Sequence, residues 1–243
     1  MIKVIGDIHG ETEKVFYEIA KSAAENNGES IHLILLGDAG INFYLNREDE
    51  RAKCGLQNYI NFYRKERGID IKILFVRGNH DCPPKHIFTY RETAFCGGTV
   101  YVEDNYPGLL FLKDGEMYKI ENKTFYVIGG GNSTDYFSRL LNNQPYFSDE
   151  SLSYEEQDII LQSLSEMKED NIILLSHMLP EWTSPERKKR QLAGPSMEGF
   201  LQKVYTLYHE KISLWLAGHY HRDMSFEKDN TCFKILFNKV LII

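Results

Sequence analysis

Short apolar runs recur along the chain, and most of them end in glycine followed by a polar residue. Residues 2–5, 31–36, 70–76, 172–176 and 212–217 have strand length and are rich in aliphatic and β-branched side chains, which predicts buried strands. Between the first two, residues 12–26 put Val15, Phe16, Ile19, Ala20 and Ala23 on one face. That is the repeat of an amphipathic helix, and Asn27-Gly28 ends it. Residues 47–67 carry Leu56, Tyr59, Ile60 and Tyr63 on one side and charge on the other, a second helix. Helices are also predicted over 154–168, where Glu155, Glu156 and Asp158 sit in the first turns as the helix dipole favours, and over 196–209. The opening strand–helix–strand–helix–strand order implies parallel strands joined by right-handed crossovers. Asp7, Asp38 and Asn79 then fall along one sheet edge, where open α/β sheets bind ligands. Residues 83–98 show no periodicity and are predicted irregular. From 99 to 129 the pattern is one of short strands and hairpins, with Asp114-Gly115 turning between 109–112 and 116–120, and Glu121-Asn122-Lys123 turning into 124–128. Residues 223–243 give two more strands. With no linker, composition shift or repeat, residues 1–243 read as a single domain.

Composition narrows the class. The chain has 243 residues, 42% hydrophobic and 26% charged, enough for one large domain with a full core. The formal net charge of −7, without a basic stripe, disfavours an extended nucleic-acid partner but not a local contact. A phosphate substrate would then need bound cations to reverse the local charge. Cys54, Cys82, Cys96 and Cys232 are scattered without a Cys-x-x-Cys pair and read as free thiols of a reducing compartment. No apolar run reaches membrane-spanning length, and a first strand at residue 2 leaves no room for a signal peptide. The expected location is cytoplasmic, with no membrane partner; no sequence pattern speaks to the oligomeric state.

The strand ends carry the chemistry. They read Gly6-Asp7-Ile8-His9-Gly10, Gly37-Asp38-Ala39-Gly40, Arg77-Gly78-Asn79-His80-Asp81, Ser176-His177 and Gly218-His219-Tyr220-His221. Asp7 and His9, and again His219 and His221, are two apart and share one side of extended backbone. Each motif alone has an ordinary reading as a turn or a cap. Their joint placement at strand C-termini does not. Oxygen and imidazole donors without thiolate suit a first-row divalent ion such as manganese, iron, cobalt, nickel or zinc. Seven candidate ligands are too many for one tetrahedral ion. Two ions sharing a carboxylate account for the number, and paired ions about 3.5–4 Å apart clamp attacking and leaving oxygens in phosphate chemistry. Residues 129–139 form a glycine-rich loop without the Gly-Lys-Ser/Thr of a P-loop. Residues 182–195 read as a basic, solvated loop.

These ordered motifs resemble the calcineurin-like metallophosphoesterases over nearly the whole chain. Residues 130–135 match, less well, a Gly-Gly-x-x-Ser-x-Asp loop of a bacterial and phage subgroup. The resemblance implies an α/β fold of four layers, α/β/β/α, with two mixed sheets flanked by helices. It implies one metal held by Asp7, His9 and His221, a second held by Asn79, His177 and His219, and Asp38 bridging them. Manganese is the expected ion. The implied reaction is hydrolysis of a phosphodiester or phosphomonoester by in-line attack of a metal-bridging hydroxide, with His80 as general acid for the leaving oxygen or as an outer hydrogen-bonding group. Arg139, Asn132, Tyr136 and His86 are candidate substrate contacts. The chain departs from the serine/threonine phosphatases, since Ile41 and Asn42 stand where those enzymes have Asp and Arg, and Asp81 replaces Glu. The carboxylate that often orients the acid histidine is thereby missing. Two other readings stay open: a nuclease, for which Lys188, Lys189 and Arg190 speak, and a non-catalytic binding module of the same fold, which loss of ligands would signal and none is lost.

Overall fold

Side-chain alternation along the strands sets the architecture. The computed structural model describes residues 1–25, 28–133, 135–183 and 196–243. Its first strand, β1 (Ile2–Ile5), sends Ile2 and Val4 to one side and Ile5 to the other. Helix α1 (Thr12–Glu25) leads to β2 (Ile31–Leu35), and α2 (Arg47–Arg67) to β3 (Ile71–Phe75). Strands β4 (Tyr90–Phe95), β5 (Gly98–Glu103) and β6 (Leu109–Leu112) complete one sheet, with β13 (Leu241–Ile242) at its other end. The order is β13-β1-β2-β3-β6-β5-β4, parallel from β1 through β6 and antiparallel at both margins. The second sheet takes β7 (Met117–Ile120), β8 (Lys123–Ile128), β9 (Ile172–Ser176), β10 (Ile212–Ala217), β11 (Met224–Lys228) and β12 (Thr231–Ile235). Its order is β11-β12-β10-β9-β8-β7, with β8, β9, β10 and β12 parallel.

Three buried clusters make four layers. Val4, Ile34, Leu74, Leu110 and Leu112 meet Tyr118, Phe125, Val127, Leu175 and Leu216 between the sheets. On the outer face of the first sheet, Ile5, Leu33, Ile73 and Phe75 pack against Val15 and Ile19 of α1 and Leu56 and Ile60 of α2. On the outer face of the second, Tyr126, Leu174 and Trp215 pack against Ile160 and Leu164 of α4 (Tyr154–Glu166) and Phe200, Leu201 and Val204 of α5 (Met197–Tyr208). Alternate residues of each strand thus feed different cores, as the pleat requires. Among the described residues no helix is long and apolar enough to cross a membrane.

Four sequence expectations are corrected, the first being the tail over 223–243, which gives three strands and not two because β13 joins the other sheet beside β1. The Asp114-Gly115 turn is not a hairpin. Leu110 and Leu112 of β6 and Tyr118 and Ile120 of β7 all point into the layer between the sheets, so the chain crosses from one sheet to the other instead of pairing with itself. Residues 83–98 are not wholly irregular, because they contain β4. That strand is an edge, paired only with β5 and half-exposed along its length, so its apolar signal is weak. Within the loop after β8, residues Tyr136–Leu141 form a short helix, α3. The Glu121-Asn122 turn does close a hairpin between β7 and β8. Both residues take positive φ, 47° and 64°, as a two-residue hairpin loop demands.

Candidate metal centre

The parallel strands of both sheets deliver their C-terminal ends to one edge of the sandwich. Asp7 and His9 follow β1, Asp38 follows β2, Asn79 and His80 follow β3, His177 follows β9, and His219 and His221 follow β10. The backbone is bent to bring them in. His9, Asp38, His219 and His221 all occupy the left-handed region, with φ of 44°, 48°, 65° and 47°. Non-glycine residues rarely sit there, and such strain clusters at functional sites. Two glycines allow the close approach of neighbouring loops. A Cβ on Gly78 would lie 2.0 Å from Asp38 Oδ1, and one on Gly218 would lie 2.1 Å from Asp7 Oδ1.

The side chains converge. His177 Nε2 is 3.0 Å from Asn79 Oδ1 and 3.4 Å from Asp38 Oδ2, and His219 Nδ1 is 3.1 Å from the same Asn79 oxygen. On the other flank, His221 Nε2 is 3.4 Å from Asp7 Oδ2 and 2.9 Å from His9 Nε2. Three overlapping sets offer one ligand atom per residue, all within 4.8 Å of one another: Asp7, His9 and His221; Asp38, His177 and His219; and His9, Asp38 and His80. Asp38 belongs to two of them. All seven residues expected from the sequence to be ligands are therefore brought to one place.

The electrostatics suit cations. His177 Nδ1 donates to the Leu36 carbonyl at 2.7 Å, which turns Nε2 toward the carboxylates. Burial disfavours a charge on His177, but Asp38 and Asp7 outweigh it and push its pKa up to about 10. Burial, and then the His177 charge, push His219 down to about 3. Burial opposes ionisation of Asp38, yet His177 and His80 hold its carboxyl well below the usual carboxylate range. The negative potential that keeps a proton on His177 is also one that attracts a divalent ion. Carboxylate, amide and imidazole donors with no thiolate match the first-row divalent metals, and the grouped side chains offer sites for such ions.

Neighbouring loops fix the orientation of these groups. Asn79 Nδ2 donates to Ser133 Oγ at 2.9 Å, which turns Asn79 Oδ1 toward His177 and His219. Ser133 Oγ in turn donates to Glu150, whose other oxygen accepts from Ser133 N at 2.6 Å. Asp81 is fully buried, and its Oδ2 accepts from the backbone N–H of Asp38 at 3.0 Å and of Gly78 at 2.9 Å. Burial, and then the Asp38 charge, push Asp81 up to about 7. His80 Nε2 lies 3.8 Å from Asp38 Oδ2 and 3.9 Å from Asp135 Oδ2, and Asp135 is gripped by Arg139 Nε at 3.0 Å. Burial lowers the His80 pKa against the pull of Asp38. Ser133, Asp135 and Glu150 had no ligand signature in the sequence. The one available signal was the loop motif at 130–135, which holds two of them.

The four expected substrate contacts have other partners. The Asn132 amide spans Ser151 Oγ, at 2.6 Å, and the backbone N–H of Met197, at 2.7 Å, bracing the loop against α5. Arg139 is buried against Asp135. His86 Nε2 pairs with Asp149 at 2.6 Å. Tyr136 is half-exposed, its ring 4.6 Å from that of Tyr146. Lys188, Lys189 and Arg190 lie outside the described residues.

The model of the calcineurin-like phosphoesterase family matches residues 1–223. The lariat debranching enzyme of Mus musculus is 24% identical over 240 residues, which cover 90% of this chain; the chain spans 41% of the length of that relative. Among solved structures, GAP50, the anchor in the inner membrane complex of Plasmodium, overlays with a TM-score of 0.52 at 16% identity, over 97% of this chain and 70% of the other. A dimetal phosphatase from Danio rerio gives a TM-score of 0.48 at 12% identity, over 97% and 86%.

Proposed function

The chain belongs to the calcineurin-like phosphoesterase family, and from that premise we propose that it is a dinuclear hydrolase of phosphate esters, diester or monoester. Asp7, His9 and His221 hold one divalent ion, Asn79, His177 and His219 hold the other, and Asp38 is shared. The observation that carries this reading is that Asp38 groups with His177 and His219 on one side and, on the other, with His9, which also groups with Asp7 and His221. Manganese is the first choice, with iron, zinc, cobalt and nickel as alternatives that the donor set also accepts. When bound, two such ions acidify a water and neutralise the charge that develops on the phosphoryl oxygens.

The protein's own groups have separable tasks. Ser133 keeps the Asn79 oxygen turned inward. Asp81 ties the β2 and β3 loops together through the Asp38 and Gly78 amides. His80, beside the cluster and partly open, gives a proton to the leaving oxygen. Asp135, held by Arg139, stands in for the carboxylate that other branches of the family supply from the strand-end motif, and it positions the His80 ring. A second reading, a nuclease, draws on the mouse relative named as a lariat debranching enzyme.

The test is hydrolysis of mono- and bis-p-nitrophenyl phosphate and of single-stranded DNA by manganese-loaded protein, with Asp38→Asn alongside. The variant is expected to lose more than the roughly 100-fold typical of removing a supporting partner. Undiminished turnover in Asp38→Asn would remove the shared ligand from the reading. A metal-loaded wild type that cleaves none of these esters would favour a non-catalytic module.

A further inference from the structure

A cavity of 260 Å³ opens beside the cluster, lined by His9 and His80 of the cluster and by Phe43, Tyr44 and Glu48. The aromatic wall is built to stay in place. Tyr44 and Leu45 donate their backbone N–H groups to the Asp49 carboxylate at 3.3 and 2.8 Å. Asn42 is buried, its carbonyl accepting from Cys82 N at 2.9 Å and its amide donating to Tyr90 Oη at 3.1 Å. Leu45 is held at φ 53°, a left-handed conformation that leucine seldom adopts. This bracing holds two aromatic rings at the mouth of the cavity. Tyr44 is 46% exposed, the Phe43 and Tyr44 rings meet edge to face at 4.7 Å, and Phe43 lies 5.8 Å from the His80 ring. A partly buried ring and an exposed one, held side by side next to the cluster, form a surface on which a planar base can stack. At its rim, the Glu48 carboxylate has no partner among the described residues, whereas Asp49 is occupied by the loop amides.

We propose that this cavity receives the leaving group and that the leaving group is a nucleoside: Phe43 and Tyr44 stack on its base, and Glu48 accepts from an exocyclic amino group, as carboxylates do from cytosine. The assignment rests on the phosphoesterase reading and on His80 as the acid, because the group that takes the His80 proton must lie on the His80 side. Hydrolysis breaks the P–O bond to the nucleoside. The water oxygen stays on phosphorus, and the nucleoside oxygen leaves with the proton. The substrate class is thus a small nucleoside phosphate ester, in keeping with a net charge of −7 that does not favour long polyanions.

The experiment compares kcat/KM of the manganese-loaded protein for two diesters that differ only in the leaving group, cytidine or the abasic ribose. Wild type is expected to prefer cytidine about tenfold, Tyr44→Ala to lose that preference, and Tyr44→Phe to keep it. Glu48→Gln is expected to narrow the preference for cytidine over uridine. Equal rates with and without the base in wild type, or a preference that survives Tyr44→Ala, would overturn the proposal. Cytidine titration followed by NMR tests the wall without turnover, and unshifted Tyr44 ring signals would likewise overturn it. If cytidine shifts those signals but no ester is cleaved, the phosphoesterase reading falls while the pocket stands.

Discussion

One serine hydroxyl decides which end of the Asn79 amide faces the cluster. Asn79 offers oxygen to His177 and His219 only because its nitrogen is occupied by Ser133, which is anchored by Glu150. Such supporting bonds are typically worth 10–100-fold in metal affinity. Ser133→Ala is therefore expected to weaken manganese binding by roughly that factor at one of two sites, read by calorimetric titration, with the other site unaffected. Two unchanged affinities would show that Asn79 needs no such anchor. The pair Ser133 and Asp135 also gives the glycine-rich loop over 129–139 a task. One residue orients a candidate ligand and the other faces the candidate acid.

At the scale of elements, the strand ends are the working parts, and they were legible because strands announce themselves as apolar runs. The seven candidate ligands each sit directly after such a run, so position along the chain translated into position in space. Glu150 did not, since it precedes a helix and reaches the site only through Ser133. The β6–β7 connection was misread for a related reason. A turn signal marks where the chain reverses, not which sheet the next strand joins, and the inward-facing Leu112 and Tyr118 decide that. Strand β4 was missed because an edge strand with one neighbour carries a diluted apolar pattern. Close approach between loops is equally invisible in sequence. A methyl group on Gly78 would fall 2.0 Å from Asp38 Oδ1 and 2.3 Å from Asp38 N, so the β2 and β3 loops would have to separate. Gly78→Ala is expected to cost about 1–3 kcal/mol of stability, as overpacking does, and to lose bound metal. A variant that kept full metal content and melting temperature would contradict the contact.

At the scale of the whole molecule, the buried carboxylates and imidazoles of the cluster make stability depend on pH. In chelator-treated protein, His177 has its pKa raised from 6.5 to about 10. Its contribution to stability is complete below pH 6.5 and is lost as pH rises toward 10. Asp81, raised from 3.8 to about 7, acts in the same direction at lower pH. His219, pushed down to about 3, is neutral both folded and unfolded above neutrality and does not oppose them there. The melting temperature of the chelated protein is therefore expected to fall between pH 7 and 9. With manganese present the fall is expected to be reversed, because metal binding competes with the His177 proton. A chelated protein whose melting temperature is flat or rising over that interval would show that the carboxylates do not act on His177 as the geometry indicates.

The most direct measurement is anomalous diffraction at the manganese edge from crystals grown with manganese. Two peaks are expected, one among Asp7, His9 and His221 and one among Asn79, His177 and His219, with Asp38 in contact with both. A single peak, or two peaks of which only one touches Asp38, would contradict the shared-carboxylate centre.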